Sequence, residues 1–256
     1  MSELAPGSIL QRMYLAERLQ LSNARTFCEI GSGNGVIAQF LINLGMTGCG
    51  YDLNQSACQN NQTKNSLAIR NGNYKVHCDD FLTSHIESKF DLVLSCMVIE
   101  HLNDSQVFAY FEKCKSILTD NGTIVVLVPS SMNHWGIEDE IAGHLRRYDF
   151  TSLEKIAINH KLVLIDMAGL TFPLSNVLFR VSNSIVNKNE KHKKLLSNTE
   201  QTILSGNRQV KFKTDFPSVF KLFFNTITLF PFHIVQKMFR NNKNSLVIYA
   251  EFKNGK

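Results

Sequence analysis

No Cys-x-x-Cys pair and no zinc-like spacing occurs among the six cysteines, at 28, 49, 58, 78, 96 and 114. That argues against a structural zinc site or a dithiol redox motif. All six fall in the first half, several within β-prone apolar segments, so buried reduced thiols and a cytoplasmic setting are expected. The opening residues, Met1-Ser-Glu-Leu-Ala-Pro-Gly, lack the basic-then-apolar layout of a signal peptide. There are no internal repeats. Nor is there an uninterrupted apolar run of the roughly 20 residues that a membrane crossing needs. The nearest, Val219–Phe239, is broken by Lys221, Asn225, His233, Gln236 and Lys237 and by Pro231. Acidic residues are scarce at one end only. Residues 1–170 hold 13 Lys/Arg against 18 Asp/Glu, and residues 171–256 hold 14 against 4. The same tail has 11 of the 18 phenylalanines, so the chain changes its task near residue 170. What remains is ordinary: 256 residues, 44% hydrophobic and 19% charged, form one folded core or a core with a cap.

The most informative stretch is Arg25–Gly35. A short β-prone run, Thr26 to Ile30, leads into Gly31, Gly33 and Gly35, and then into Val36, Ile37, Phe40, Leu41 and Leu44 at helical spacing. Strand, glycine turn and helix bring backbone close to a ligand, and helix-start amides favour a polar or anionic group. A dinucleotide site would read Gly-x-Gly-x-x-Gly. Here the third glycine comes one residue early, which disfavours a nicotinamide enzyme. Glu29 lies two residues before Gly31, and Asp52 ends the next β-prone segment, Thr47–Tyr51. A carboxylate at that strand tip can accept both hydroxyls of a ribose.

These residues resemble the class I S-adenosylmethionine-dependent methyltransferases, particularly the group acting on small molecules and ubiquinone precursors. The resemblance implies S-adenosylmethionine as cofactor and a cofactor set of Glu29, Gly31, Ser32, Gly33, Asp52, Leu53, Asp80, Phe81 and Cys96. Within that set, Asp80 is assigned to the adenine amine and Phe81 to the ring face, while Asp79 caps a turn.

The rest of the chain keeps the same rhythm. An apolar stripe (Ile9, Leu10, Met13, Leu19) follows a Ser8/Gln11 capping box. Residues 34–44 form a helix, Asn54–Ile69 an asparagine-rich helix, and Asn73–Cys78 a third strand. Phe90–Ser95 is a fourth strand, followed by a helix capped by Asp104 or Ser105, an Asp120-Asn-Gly turn and a fifth strand, Thr123–Val128. A Thr151/Glu154 capping box opens a helix to His160, and Leu162–Met167 is strand six. Alternating strands and helices predict an α/β, doubly wound, mostly parallel sheet. With the resemblance, which covers about residues 8–170, the expectation is a seven-stranded Rossmann-like methyltransferase fold. Its last strand is Ser245–Phe252. The expected organisation is a cofactor-binding core over 1–170, a helical insertion over 171–244 and the final strand over 245–256. Helices are expected at Phe172–Val186 and Val219–Phe239, the second as two pieces meeting at Pro231. The Lys188–Lys194 run reads as a solvated surface.

Acceptor chemistry belongs to the loops at the carboxyl ends of the strands. Glu100 and His101 follow strand four and His144 follows strand five, and these three are the expected catalytic residues, with a histidine as general base. Trp135, Arg146, Arg147 and Tyr148 are the expected acceptor-binding residues. One of the two arginines is alternatively a partner for Asp139, Glu140 or Asp149. Glu100, His101 and His144 could also hold a metal, as in relatives that act on catechols or RNA ends. RNA-end relatives carry a further glutamate where Met97 stands, so no metal is expected. The acceptor is read as a small molecule or a lipid- or glycan-linked metabolite, methylated on oxygen or nitrogen. Nucleic acid is disfavoured as a partner because no Asn-Pro-Pro-aromatic motif follows strand four. A non-catalytic cofactor-binding protein is the further alternative. Residues 216–243 are read first as a cap over the acceptor, and second as a peripheral contact with the inner face of a membrane.

Overall fold

The computed structural model of the protein describes residues 5–20, 22–190, 201 and 223–255. The first half runs α1 (Pro6–Gln20), β1 (Thr26–Ile30), α2 (Val36–Asn43), β2 (Thr47–Tyr51), α3 (Gln55–Lys64), α4 (Ser66–Arg70), β3 (Tyr74–His77) and β4 (Phe90–Cys96). Then follow α5 (Asp104–Ser116), β5 (Leu118–Pro129), α6 (Ile137–Ala142), α7 (Phe150–Asn159), β6 (Leu162–Leu170), α8 (Leu174–Glu190), α9 (Thr226–Met238) and β7 (Val247–Asn254).

The seven strands form one sheet in the order β3-β2-β1-β4-β5-β7-β6. β1 pairs in parallel with β2 and β4, and β4 with β5, while β7 runs antiparallel between β5 and β6. This is the Rossmann-like methyltransferase architecture, with α8 and α9 inserted before the last strand.

Alternation along the strands builds two cores, one on each face of the sheet. Cys28 and Ile30 of β1, Val93 of β4, Ile124, Val126 and Val128 of β5, and Ile248, Ala250 and Phe252 of β7 face one side, against Tyr110 and Phe111 of α5 and Leu153 of α7. Phe27, Leu92, Leu94, Val125, Leu127 and Tyr249 face the other, against Tyr14 and Leu15 of α1 and Leu41 of α2. Burial on both faces is why the strands read as continuous apolar runs.

Several boundaries differ from expectation. α1 begins at Pro6, which supplies its φ without needing a hydrogen-bonded N–H, so Ser8 and Gln11 lie inside the helix. α5 is capped by Asn103 in a reciprocal box with Gln106, and α7 by Asp149 with Ser152. In each case the side chain one position before the helix reaches the N3 amide, while the residues assigned from spacing lie inside the first turn. The asparagine-rich helix breaks at Asn65. The Asp120-Asn-Gly turn is absorbed into β5, where the register with β4 shifts between Phe90 and Leu92.

α9 runs unbroken through Pro231. Its start is held by the Asn225 side chain, which accepts from Ile227 N and Thr228 N at 3.0 Å. Its far end is held by Gln236, whose amide donates to the Leu10 carbonyl at 3.0 Å and accepts from Thr171 N at 2.9 Å. These fixed ends offset the one helical bond that proline removes. The expected start at Val219 and most of the basic linker lie outside the described residues.

Candidate active site

The glycine turn joins β1 to α2 at the sheet edge where the parallel strands end. Gly31, Gly33 and Gly35 all take left-handed φ, 70°, 48° and 71°. The amides of Gly31 and Ser32 donate to the Tyr51 carbonyl at 2.9 and 3.0 Å. Asp52, just beyond β2, accepts from Gly33 N at 2.7 Å and from Asn54 N at 2.8 Å. Each carboxylate oxygen keeps a further lone pair for a ribose hydroxyl. Leu53 beside it is 57% exposed, an apolar surface open to a ligand.

Glu29 is buried, and its Oε2 has no hydrogen-bond partner. Burial pushes its carboxyl well above the ordinary value, and the Ala38 amide in the first turn of α2 pulls the other way. An orphaned acid beside an open glycine turn fits the charged amino acid end of S-adenosylmethionine. Cys96 closes β4 with its thiol pushed to about 12 by burial, and then by Glu100 and Glu29.

Two members of the expected cofactor set act differently. The Ser32 hydroxyl is buried and accepts from Asn61 Nδ2 at 3.2 Å, and its backbone amide and carbonyl are bonded to Tyr51 and Gly35, so Ser32 shapes the loop. Phe81 is a core residue, edge-on to Tyr51 at 5.9 Å and tilted to Tyr110 at 5.9 Å, with the Lys113 ammonium 5.1 Å from its ring. It cannot also present its face to an adenine. Asp80 keeps one oxygen on Leu82 N at 2.8 Å, and Asp79 takes the turn bonds to Asp80 N and Ser84 Oγ.

What the sequence reading missed is the support behind the loop. Asn61 donates to Tyr74 OH at 3.1 Å as well as to Ser32, and Asn65 donates to the Gly35 carbonyl at 3.1 Å and to Asn61 Oδ1 at 2.8 Å. The available signal was their spacing: four apart, on one face of a helix that otherwise looks solvated.

Beyond β4, a short 3-10 turn (Ile99–His101) carries Glu100 and His101. Glu100 is fully buried and neither carboxylate oxygen has a hydrogen-bond partner. Burial pushes it up to about 7, against the pull of His144. The His101 and His144 rings meet edge to face, centroids 4.7 Å apart. Burial, then His144, holds His101 down to about 4, so it is a weaker base than an ordinary histidine.

His144 Nδ1 donates to Asp139 Oδ1 at 2.8 Å. Asp139 is in turn gripped by Arg147, Nε to Oδ1 at 2.8 Å and Nη2 to Oδ2 at 3.0 Å, and by Gly136 N at 2.8 Å. Burial opposes ionisation of Asp139, but the bonds from His144 and Arg147 outweigh it and hold that carboxyl below its ordinary value.

The expected acceptor-binding residues therefore divide. Arg147 is the structural member of the pair, also donating to the Ser130 carbonyl at 3.0 Å. Tyr148 is buried and its hydroxyl donates to the Ile99 carbonyl at 3.0 Å, pinning the Glu100–His101 turn. Arg146 reaches Asp104 at 2.5 Å near the surface and remains available for a ligand. Trp135 is half-buried at the turn before α6. Met97, Ser131 and Thr171 take left-handed φ of 56°, 59° and 70°, one or two residues past β4, β5 and β6. Backbone strain in non-glycine residues collects at functional edges, and here all three lie at the edge that carries the site.

This fold, glycine turn and ribose-type acid are those of the class I S-adenosylmethionine-dependent methyltransferases. Residues 28–124 match the family model described as "Methyltransferase domain". The chain is 29% identical over 140 residues to sphingolipid C9-methyltransferase B of Emericella nidulans, covering 53% of this chain and 27% of that protein. It thus spans about a quarter of the length of that curated relative. It is 26% identical over 180 residues to the ubiquinone biosynthesis O-methyltransferase of Bartonella bacilliformis, covering 62% of this chain and 68% of that one. In fold it is similar to a putative sarcosine dimethylglycine methyltransferase from Galdieria sulphuraria, with a TM-score of 0.60 and 13% identity over 96% of this chain and 85% of that one. The O-methyltransferase of a trans-AT PKS multienzyme of Brevibacillus brevis, solved with S-adenosyl-L-homocysteine, gives 0.55 and 12% over 97% and 72%.

Proposed function

We propose that the protein transfers a methyl group from S-adenosylmethionine to an oxygen or nitrogen of a small-molecule or lipid-linked acceptor. The observation that supports this most is the contact between the two halves of the site. A Cβ on Gly31 would collide with Val98 Cγ2, and Val98 lies two residues before Glu100. The donor loop and the Glu100–His101–His144 group thus face the same small volume.

S-adenosylmethionine supplies an electrophilic methyl carbon on a sulfonium. Asp52 would hold the donor's ribose beside the glycine turn, whose missing Cβ atoms leave room for it, and Glu29 would take its ammonium end. With that group bound, an acceptor lone pair could take the methyl as the carbon–sulfur bond breaks, and His144 Nε2, first among the lone pairs facing the site, would take the acceptor's proton. Arg146 and Trp135 are the acceptor contacts we retain. Relatives named for sphingolipid and for ubiquinone biosynthesis support a lipid-like acceptor.

Calorimetry and a labelled-donor screen over quinols and sphingolipids test this reading. The wild type should bind S-adenosylmethionine and its demethylated product. Asp52→Ala should weaken both roughly ten- to a hundred-fold, the value of a charge-assisted hydrogen bond. Absence of binding to either ligand, or tight NAD binding instead, overturns it.

A peripheral membrane contact is favoured by α9, whose polarity is inverted. Its packed side carries Leu229, His233 and Gln236, with His233 on Glu17 at 2.8 Å and Lys237 on the same carboxylate at 2.7 Å. Its outer side carries Ile227 at 84% exposure, Phe230 at 53% and Met238 at 76%. The surrounding tail has 14 Lys/Arg against 4 Asp/Glu, which suits anionic headgroups. No helix among the described residues is long and apolar enough to cross a membrane. We therefore place α9 flat on the inner face of a membrane, where a lipid-linked acceptor would be reached, with the six free thiols in a reducing cytoplasm.

A further inference from the structure

The six free thiols are not equivalent. Cys28 and Cys49 are register partners on β1 and β2, but both are buried in the core with Cys114, and buried thiols of this kind are inert. Cys78 is exposed, directly after β3, while Cys58, in the first turn of α3, is buried. The backbone of Asp52 joins these two places. Its amide donates to the His77 carbonyl at 3.1 Å, one residue before Cys78, and its carbonyl accepts from the Cys58 thiol at 3.5 Å. The two thiols are also each other's neighbours: burial, and then the hydrogen bond with Cys78, push Cys58 up to about 12. One thiol of the pair is open to solution, and the other stands protonated behind it.

We propose that Cys58 and Cys78 form a disulfide when the protein meets hydrogen peroxide, and that this bond weakens binding of the methyl donor. The exposed Cys78 reacts first. Its sulfur takes one oxygen as the O–O bond breaks, one water leaves, and Cys78 becomes a sulfenic acid. The Cys58 sulfur then displaces the hydroxyl of that sulfenic acid. Its own proton goes with the hydroxyl as a second water, and the S–S bond forms. Two thiols have then lost two hydrogens, and one peroxide has been reduced to two waters. Contact offsets the small thiolate fraction of Cys58, because the second attack is intramolecular. A reducing dithiol reverses the bond by exchange.

The effect on the donor rests on reading Asp52 as the ribose acid. The Asp52 carboxylate is held by Gly33 N at 2.7 Å and Asn54 N at 2.8 Å, and Asn54 also caps α3 through Ala57 N at 2.9 Å. Joining the sulfurs takes the Cys58 thiol off the Asp52 carbonyl and draws the start of α3 towards the end of β3. Both ends of that movement reach the donor side, through Asn54 at one and through Asp79 and Asp80, directly after Cys78, at the other. The coupling is reciprocal, so bound donor disfavours the disulfide.

The test treats the reduced full chain with hydrogen peroxide, alkylates the remaining thiols and maps peptides by mass spectrometry. Cys58 should be linked to Cys78, with the other cysteines alkylated. Cys58→Ser should stop at a sulfenic acid on Cys78, which dimedone traps. Should that buried substitution unfold the chain, Cys78→Ser at the exposed position serves as the control without a link. Calorimetry with S-adenosylhomocysteine should show the peroxide-treated wild type weakened about tenfold or more, restored by dithiothreitol, with Cys78→Ser unaffected by peroxide. Absence of the Cys58–Cys78 link overturns the proposal, as does a link that leaves affinity unchanged or an equal loss of affinity in Cys78→Ser. A link in a protein whose reduced form does not bind S-adenosylhomocysteine overturns the donor reading instead.

Discussion

Replacing Glu100 by methionine should make the protein progressively more stable relative to wild type as the pH rises. Glu100 is fully buried without hydrogen-bond partners, and burial moves its carboxyl from 4.5 up to about 7. A folded-state value above the unfolded one means that the native protein holds the proton more tightly. The stability contributed by that proton is fully present below about pH 4.5 and is lost as the pH climbs through about 7. Each pH unit between the two values is worth about 1.4 kcal/mol, so the whole window carries roughly 3 kcal/mol. Between about pH 5 and pH 8.5 the wild type should lose about 2–3 kcal/mol that the Glu100→Met variant, with no such titration, retains. Urea unfolding of both proteins across that range, with equal slopes, gives the difference directly. Only its change with pH is predicted, because its absolute value depends on how methionine packs. A difference that stays flat, or that moves toward the wild type at high pH, refutes the assignment of a buried, unpaired carboxyl.

Gly31→Ala should cost roughly 2–5 kcal/mol, about 1–2 from left-handed backbone and the rest from crowding against Val98. Adding Val98→Ala should recover the crowding share alone in thermal unfolding, and full recovery would show the backbone share to be absent. On α9, Ile227→Ser with Phe230→Ser should leave stability within about 0.5 kcal/mol, since both side chains are more than half exposed. The pair should weaken co-sedimentation with anionic vesicles about tenfold or more, as should added salt. Unchanged sedimentation, or an unfolded double variant, counts against the membrane face.

Much of the donor half was legible because it depends on short-range constraints. A strand, alternate glycines and a helix occupy consecutive residues, and the backbone needs positive φ at fixed steps. Asp52 was legible for the same reason, as the first residue past a strand parallel to β1. The acceptor half depends on residues 43 apart in sequence, His101 and His144, that meet only because β4 and β5 are neighbours. Spacing named the residues but could not show that Asp139 orients one ring, or that Arg147 is committed to Asp139 and Tyr148 to a backbone carbonyl. Phe81 was misplaced because a phenylalanine after an acid can face the adenine or the core. The approach of Tyr51 and Tyr110 decides for the core.

α9 exposes a deeper limit of pattern reading. Periodicity places the apolar side inward, because burying it is what normally stabilises a helix. Here, among the described residues of α9, Leu229 is the one that joins Ile9 and Leu10 in the buried apolar cluster beneath α1. The surface left around α1 and β6 is polar instead. It offers the Leu10 carbonyl, the Thr171 amide, Glu17 and Asp166. Gln236 answers the first two, His233 and Lys237 answer Glu17, and Arg240 answers Asp166. Buried polar groups cost more when unpaired than an exposed isoleucine does. Satisfying this seam therefore sets the rotation of the helix and leaves the phenylalanines outward. A helix fixed by hydrogen bonds on one side and apolar on the other can meet a lipid surface without giving up its own anchorage.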